Sequence, residues 1–243
     1  MLKRSFDVVV SFSGLVILSP LLLLFMLLVW LQDFHSPFYI AARARNRHRT
    51  FRMFKLRSMV ANADRQGGAS TAANDRRITW VGKVIRKTKF DEVPQLWNVL
   101  KGDMSLVGPR PQVMRDVTSF YTEEEYRLFD ARPGITDFAS IVFADEGEIL
   151  RGSPNPDLKY NQIIRPWKSR LGLFYCRHQK VGVDVRLIAL TILSAFSRAR
   201  ALRGVQGLLA RLGAEARLVE VAGRTTPLEP FPPPGAREIE TRW

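Results

Sequence analysis

Asp91 and Glu92 stand side by side in TKFDEVPQLWNVLKGDMSLVGPRP, residues 88–111, and a Pro-Arg-Pro triplet closes the same stretch. An ionised carboxylate can attack phosphorus, and a second carboxylate beside it can hold magnesium, which commonly binds proteins through one or two carboxylates plus substrate phosphates. Arg110 lies between Pro109 and Pro111, whose fixed φ angles limit the backbone freedom lost on gripping a ligand, and its planar fork suits phosphate. Lys55 and Arg57 of FKLRSM could add cationic contacts to a diphosphate. Each feature also has a structural reading. Thr88 and Asp91 fit the spacing of a capping box with Pro94 in the first turn, and a cap remains compatible with a nucleophile because a helix start favours the anion. Pro109 to Pro111 can be a surface turn, and Lys55 with Arg57 can snorkel at a membrane surface.

The elements that must position these residues begin with an anchor. Residues 8–31 carry no charge over a length sufficient to cross a hydrocarbon core of roughly 30 Å. A cleavable signal would have a shorter apolar core, and a soluble helix would show a polar face. Ser19 and Pro20 interrupt the run. The break permits either a kinked spanning helix or a re-entrant hairpin, since proline is tolerated in membrane helices when neighbouring groups satisfy the freed backbone. Lys3 and Arg4 precede the run and seven basic residues between Arg43 and Arg57 follow it, so both flanks carry the bias of cytoplasmic segments.

Beyond the anchor, aromatic and β-branched residues around a basic turn predict a small β-hairpin within 34–60. A polar, glycine-containing loop is expected over 63–77, then a helix from Ile78 to Ile85, and then a helix with Leu96, Trp97 and Leu100 on its apolar face that ends at Gly102. EEEYRLF predicts another helix within 120–131. Residues 160–174 space as a helix face with Pro166 at its start or bend, 187–196 suit an interfacial or packed helix, and 198–220 read as a basic helix before a proline-rich, disordered tail.

The 37 Lys and Arg against 23 Asp and Glu give a formal charge of +14, which suits an anionic partner. One cysteine, Cys176, excludes an internal disulfide and a cysteine zinc cage, and the three histidines are scattered. A membrane-tethered nucleic-acid binder or a non-catalytic membrane scaffold would explain the charge and the anchor. Either would leave the paired acids and the Pro-Arg-Pro spacing without purpose, so no nucleic-acid partner is expected.

Taken together, KRSFD at 3–7, the run broken at Ser19 and Pro20, FRMFKLRSM at 51–59, the block 75–111 and RPGIT at 132–136 resemble the bacterial sugar transferase family, monotopic phosphoglycosyl transferases that start glycan assembly on polyprenyl phosphate. The resemblance covers residues 3 to about 195. It implies that Asp91 attacks the sugar-linked phosphate of a nucleoside diphosphate sugar, by family inference a UDP-sugar. UMP is expelled, and the covalent phosphosugar passes to polyprenyl phosphate in ping-pong fashion. Glu92 matches the family's Mg2+ ligand, Arg110 its nucleotide-contacting residue, Ser19 with Pro20 the break that makes the anchor re-entrant, and Lys3 with Arg4 the basic pair at the membrane face. The implied setting is the cytoplasmic face of a bacterial inner membrane, feeding exopolysaccharide, O-antigen or glycoconjugate assembly alongside later glycosyltransferases.

The expected architecture is mainly α with a small β-hairpin. A re-entrant N-terminal membrane helix hairpin occupies 1–33, a cytosolic catalytic domain with interfacial helices 34–197, and a basic helix with a disordered tail 198–243. The chain looks like a compact form without the multi-span region of longer relatives. Two departures stand out. Arg45 and His48 occupy positions where the family often has glycine, which puts a turn with φ above zero in question there, and DFAS follows RPGIT where many members continue with glycine.

Overall fold

Residues 2–63 and 75–242 are described by the structure, a computed structural model. The loop expected over 63–77 therefore lies mostly outside the described residues.

The apolar run folds as α1, Leu2–Leu31, the one helix among the described residues that is long and apolar enough to cross a membrane. It carries the chain through Pro20 as one continuous helix. The reason is local. Proline has no N–H to give the carbonyl four residues back, that of Val16, and the Ser19 hydroxyl donates to that same oxygen at 2.8 Å. With its orphaned carbonyl satisfied in place, the helix is not forced open.

Both ends of α1 are tied to the rest of the protein. Near its start, Lys3 Nζ donates to Asp184 at 2.5 Å, to the Tyr175 hydroxyl at 3.1 Å and to the Val107 carbonyl at 3.1 Å. Asp7 accepts from the Ser105 hydroxyl at 2.8 Å and from the Leu106 N–H at 3.2 Å. Near its end, Val29 is buried in a cluster with Leu56, Val81, Ile85 and Phe90. Between these ties, Phe12, Val16, Ile17, Leu21, Leu24 and Leu27 stay exposed.

The expected hairpin forms from β1, Phe38–Ala44, and β2, Thr50–Leu56, paired antiparallel with Ala44 opposite Thr50. Its turn does without the glycines. The Asn46 side-chain oxygen accepts from the N–H groups of His48 and Arg49 at 2.9 and 2.8 Å, and neither Arg45 nor His48 adopts positive φ.

Next come α2, Trp80–Lys87, capped by Thr79, and α3, Gln95–Lys101, closed by Gly102 at φ 87°. Then follow β3, Ser105–Val107; α4, Met114–Phe120; β4, Gly134–Thr136; and α5, Phe138–Val142. Strands β3 and β4 pair in parallel, Ser105 opposite Gly134 and Val107 opposite Thr136. At three residues each they are too short to leave a period in the sequence. Glycine is required where they meet, because a Cβ on Gly134 would lie 2.1 Å from the Gly108 nitrogen. EEEYRLF yields only a tight 3-10 turn over Glu125–Asp130. Glu125 is drawn fully inside instead, accepting from the Thr122 N–H, from Arg165 and from the Ser169 hydroxyl.

Short helices α6, Glu146–Ile149, and α7, Pro156–Lys159, lead into α8, Arg165–His178, with Pro166 in its first turn, and α9, Val181–Phe196. The core runs through Phe138, Ile141, Ile164, Leu171, Tyr175 and Leu187. The expected basic helix is two helices, α10, Arg198–Arg211, and α11, Ala216–Gly223, separated by Gly213 at φ 79°.

The proline-rich tail, expected to be disordered, lies along α8. Phe231 stacks on Trp167 with centroids 4.6 Å apart, and the guanidinium groups of Arg170 and Arg217 sit 4.7 and 4.2 Å from its ring. The Pro232 and Pro234 carbonyls accept from Arg170 and Thr122. Composition missed this because prolines bring little backbone entropy to lose on ordering, so one aromatic anchor suffices.

Arg57 locks the far end of α1. Its two terminal nitrogens donate to the Asp33 carboxylate at 2.5 and 2.6 Å, while Nε donates to the Ser36 carbonyl at 2.8 Å. The hydrogen bond from Arg57 holds the Asp33 carboxyl down at about 2. A group depressed in the folded state contributes stability above its unfolded value that is lost as pH falls through the folded one. Asp33→Asn should lower the thermal midpoint at neutral pH and flatten the fall in stability between about pH 4 and about pH 2. Thermal melts of both proteins across that range, in one detergent, check this; parallel curves would refute it.

Candidate active site

Three segments far apart in sequence meet at one buried charge. Strand β2 supplies Lys55, a short 3-10 turn over Phe90–Glu92 supplies the two acids, and the segment after β3 supplies Arg110. The turn arises because Thr88 ends α2, its hydroxyl donating to the Val84 and Ile85 carbonyls at 3.0 and 3.1 Å. Lys89 then takes a left-handed conformation at φ 55°. The expected capping box is therefore absent: the Thr88 hydroxyl is spent on α2, and Pro94 precedes α3 with no side-chain cap. Among the described residues, none donates a hydrogen bond to the Asp91 carboxylate.

This turn and α3, which follows it, are held in place from three sides. Asn98 is fully buried and stitches α3 to β2, its side-chain oxygen accepting from Phe54 N–H at 2.9 Å and its nitrogen donating to the Arg52 carbonyl at 2.7 Å. Arg4 closes the other end of α3, donating to the Val99 and Leu100 carbonyls at 2.5 and 2.7 Å. Phe90 packs on Phe25 of α1 at 5.1 Å, which sets the acids beside the anchor. The helix presents itself differently from the expected apolar face. Gln95, Asn98 and Val99 are buried, Trp97 is exposed, and Leu96 faces α1 at Gly14, where an added Cβ would lie 3.2 Å from it.

The Glu92 side chain, 15% exposed, receives both terminal nitrogens of Arg110 and lies 3.4 Å from Lys55 Nζ. Arg110 also donates to the Ile135 carbonyl at 3.3 Å, so the β3–β4 pairing fixes its reach. Burial raises the Glu92 carboxyl, but the charges of Arg110 and Lys55 outweigh it and bring the group to about 2. The Glu92 charge in turn raises Arg110 above its ordinary value. Burial, aided by Arg110, lowers Lys55. Asp91 moves the other way from its neighbour, because burial pushes its carboxyl up and Lys55 only partly opposes this. The helix start was expected to favour the Asp91 anion; here desolvation is the larger effect.

Lys55, Asp91, Glu92 and Arg110 are thus brought together, with Pro109 and Pro111 buried on either side of the arginine. Arg57 is not with them, since its donors are spent on Asp33 and on carbonyls at the end of α1. Ser19 and Pro20 lie inside α1, and Lys3 and Arg4 turn inward onto Asp184 and α3. Sequence reading passed over Asp7, Asp33, Gln95 and Asn98. The available signal was polar residues spaced three apart on one helix, Gln95 and Asn98, beside an apolar residue at position 99.

No group of three or more His, Cys, Asp and Glu able to hold a metal occurs among the described residues. The hard oxygens of Asp91 and Glu92 fit magnesium only as a site shared with substrate phosphates.

A family model described as bacterial sugar transferase matches residues 1–198. Over 177 residues the chain is 35% identical to the UDP-N-acetylgalactosamine-undecaprenyl-phosphate N-acetylgalactosaminephosphotransferase of Aeromonas hydrophila, a match covering 71% of this chain and 42% of that protein. It is 34% identical over 209 residues to the exopolysaccharide production protein PSS of Rhizobium leguminosarum bv. phaseoli, covering 82% and 97%. It is also 34% identical over 196 residues to the undecaprenyl-phosphate glucose phosphotransferase of Komagataeibacter xylinus, covering 78% and 35%. The chain thus spans less than half of the first and third of these relatives and nearly all of the second.

The forked contact predicts strong coupling. In a double-mutant cycle of Glu92→Gln and Arg110→Met, unfolding measurements should give an interaction energy of about 0.5–3 kcal/mol, the range for groups in one hydrogen-bonded network. Additivity within about 0.3 kcal/mol would mean the pair contributes nothing beyond its separate parts.

Proposed function

The chain belongs to the bacterial sugar transferase family, and from that premise we propose that it transfers a sugar 1-phosphate from a UDP-sugar to polyprenyl phosphate. The observation that carries this reading is Asp91, a carboxylate with no hydrogen-bond donor among the described residues, beside a lysine and an arginine suited to phosphate. An Asp91 oxygen attacks the sugar-linked phosphorus. The new O–P bond forms as the bond to the leaving phosphate breaks, and UMP departs with the electron pair. A polyprenyl phosphate oxygen then attacks the same phosphorus, the aspartyl bond breaks, and the carboxylate is restored. Burial that raises Asp91 also makes its ionised form a more basic nucleophile. Arg110 and Lys55 bind and orient the diphosphate. In this reading Glu92 would hold Mg2+, which when bound would offset charge on the donor phosphates.

The acceptor is a lipid, so the acids must work at the bilayer surface. The anchor enters and leaves the membrane on one face, a reading supported by its ties at both ends to one body and by the row of exposed apolar side chains between them. That face is the cytoplasmic one, as the basic flanks suggest. The names of two relatives carry different sugars, N-acetylgalactosamine and glucose. A panel of UDP-sugars scored for UMP release would identify the donor here.

Two outcomes are expected. With a suitable UDP-sugar, magnesium and polyprenyl phosphate, the enzyme should release UMP and yield a phosphosugar adduct on Asp91 by mass spectrometry, whereas Asp91→Asn should lose at least about 10³-fold in turnover, as nucleophile removal does elsewhere. An adduct on another residue would overturn the assignment. In a Cys176→Ser background, single cysteines at the exposed positions Leu2 and Phe34 should both react with an impermeant maleimide in inside-out vesicles. Labelling of Leu2→Cys only in right-side-out vesicles would mean that the helix crosses.

A further inference from the structure

Helix α3, which follows the acids, carries a second buried carboxamide besides Asn98, and it is not used. Gln95 is 1% exposed, yet its side-chain nitrogen has no acceptor among the described residues. Asn98, one turn on, spends both ends of its amide on β2. Native proteins seldom leave a buried donor unpaired, and such an orphan lowers stability until an acceptor arrives.

Its position is bracketed on both sides. Toward the chain start, Glu92 meets Lys55 of β2; toward the chain end, Asn98 meets Phe54 of the same strand. Gln95 lies midway between them. The backbone bonds from Val93 to Phe90, from Leu96 to Val93 and from Trp97 to Pro94 each span three residues, so the chain winds tightly from the acids into α3 and Gln95 follows Glu92 by about one turn. Asp91 lies four residues before Gln95, at the start of the same tightly wound segment. A neutral amide N–H in this place calls for an oxygen that none of the described residues supplies.

We propose that the Gln95 carboxamide donates a hydrogen bond to a non-bridging oxygen of the phosphoryl group carried on Asp91. This rests on the covalent aspartyl reading given above. The same phosphorus is bound in both half-reactions, so Gln95 serves the donor and the acceptor step alike. It acts as a preorganised donor for charge that develops on phosphorus, a role in which one lost donor slows the chemistry by about 10²–10³.

The test uses Gln95→Leu, of similar volume and without polar atoms, and Gln95→Met as a second variant, in the full-length enzyme reconstituted in nanodiscs. The thermal midpoint should hold or rise, since a buried unpaired donor has been removed. Single-turnover formation of the phosphosugar adduct from UDP-sugar and its discharge to polyprenyl phosphate should both slow by about 10²-fold, with KM for the UDP-sugar within about threefold. Normal rates in either variant, a defect confined to one half-reaction, or a midpoint that falls in both variants along with activity would each overturn the proposal. Asp91→Asn run in parallel separates the two ideas. Turnover surviving there sinks the covalent reading, whereas an inert Asp91→Asn beside a normal Gln95→Leu sinks only the role of Gln95.

Discussion

Glu92 carries a negative charge to a place that water scarcely reaches, and a charge so placed is tolerated only when paired and hydrogen-bonded. Its partners must come from elsewhere in the chain, because the turn that holds Glu92 is too short to fold back on itself. Lys55 arrives on a hairpin strand and Arg110 on a loop between parallel strands. Much of the surrounding structure serves that convergence. Asn98 fixes α3 against β2, Gly108 and Gly134 allow β3 and β4 to touch, and Arg110 is held to the Ile135 carbonyl. Removing one of these ties leaves an unpaired charge inside, which is more damaging than losing the pair outright.

The same logic joins the anchor to the site. Charged and polar residues at the two ends of α1, Lys3, Arg4, Asp7 and the following Asp33, all face the protein. Its middle is apolar and bare. Arg4 closes the helix whose other end leads from the acids, and Phe25 of α1 touches Phe90 one residue before them. The long apolar helix is thus also a wall of the site, so the acids cannot move far from it. The basic hairpin run has a comparable inward use: Arg45 pairs with Asp103, and Arg47 with Glu123 and the Tyr126 ring. Those charges hold the hairpin tip to the body, which weakens the case that the formal charge marks a nucleic-acid surface.

Long apolar runs, the hairpin and the ends of helices at Gly102 and Pro166 were legible because each is a local signal. The three-residue strands were not, since their existence depends on backbone approach at two glycines rather than on side-chain pattern. Burial of Gln95 and Asn98 reversed the expected facing of α3. An apolar stripe usually marks the core, but where a helix lies between lipid-facing and polar layers the apolar side can turn toward the anchor and the amides inward. Of the candidate site, Lys55, Asp91, Glu92 and Arg110 could be named from residue type and spacing. That Arg57 belongs to Asp33 could not, because Asp33 is just one of many acids until the chain end of α1 is placed.

Within the proposed reaction, the pairing at Glu92 also shapes how the donor enters. Two carboxylates and two cations nearly cancel, so a diphosphate does not meet a pocket of spare positive charge. It has to draw Arg110 and Lys55 away from Glu92, an exchange of one anion for another in which the arginine fork keeps a bidentate partner throughout. Glu92 is then left wanting a positive partner. That need is the physical reason for including a divalent cation delivered with the phosphates in the proposal, and it explains why the acid beside the nucleophile should be held ionised while the nucleophile itself is the more basic of the two.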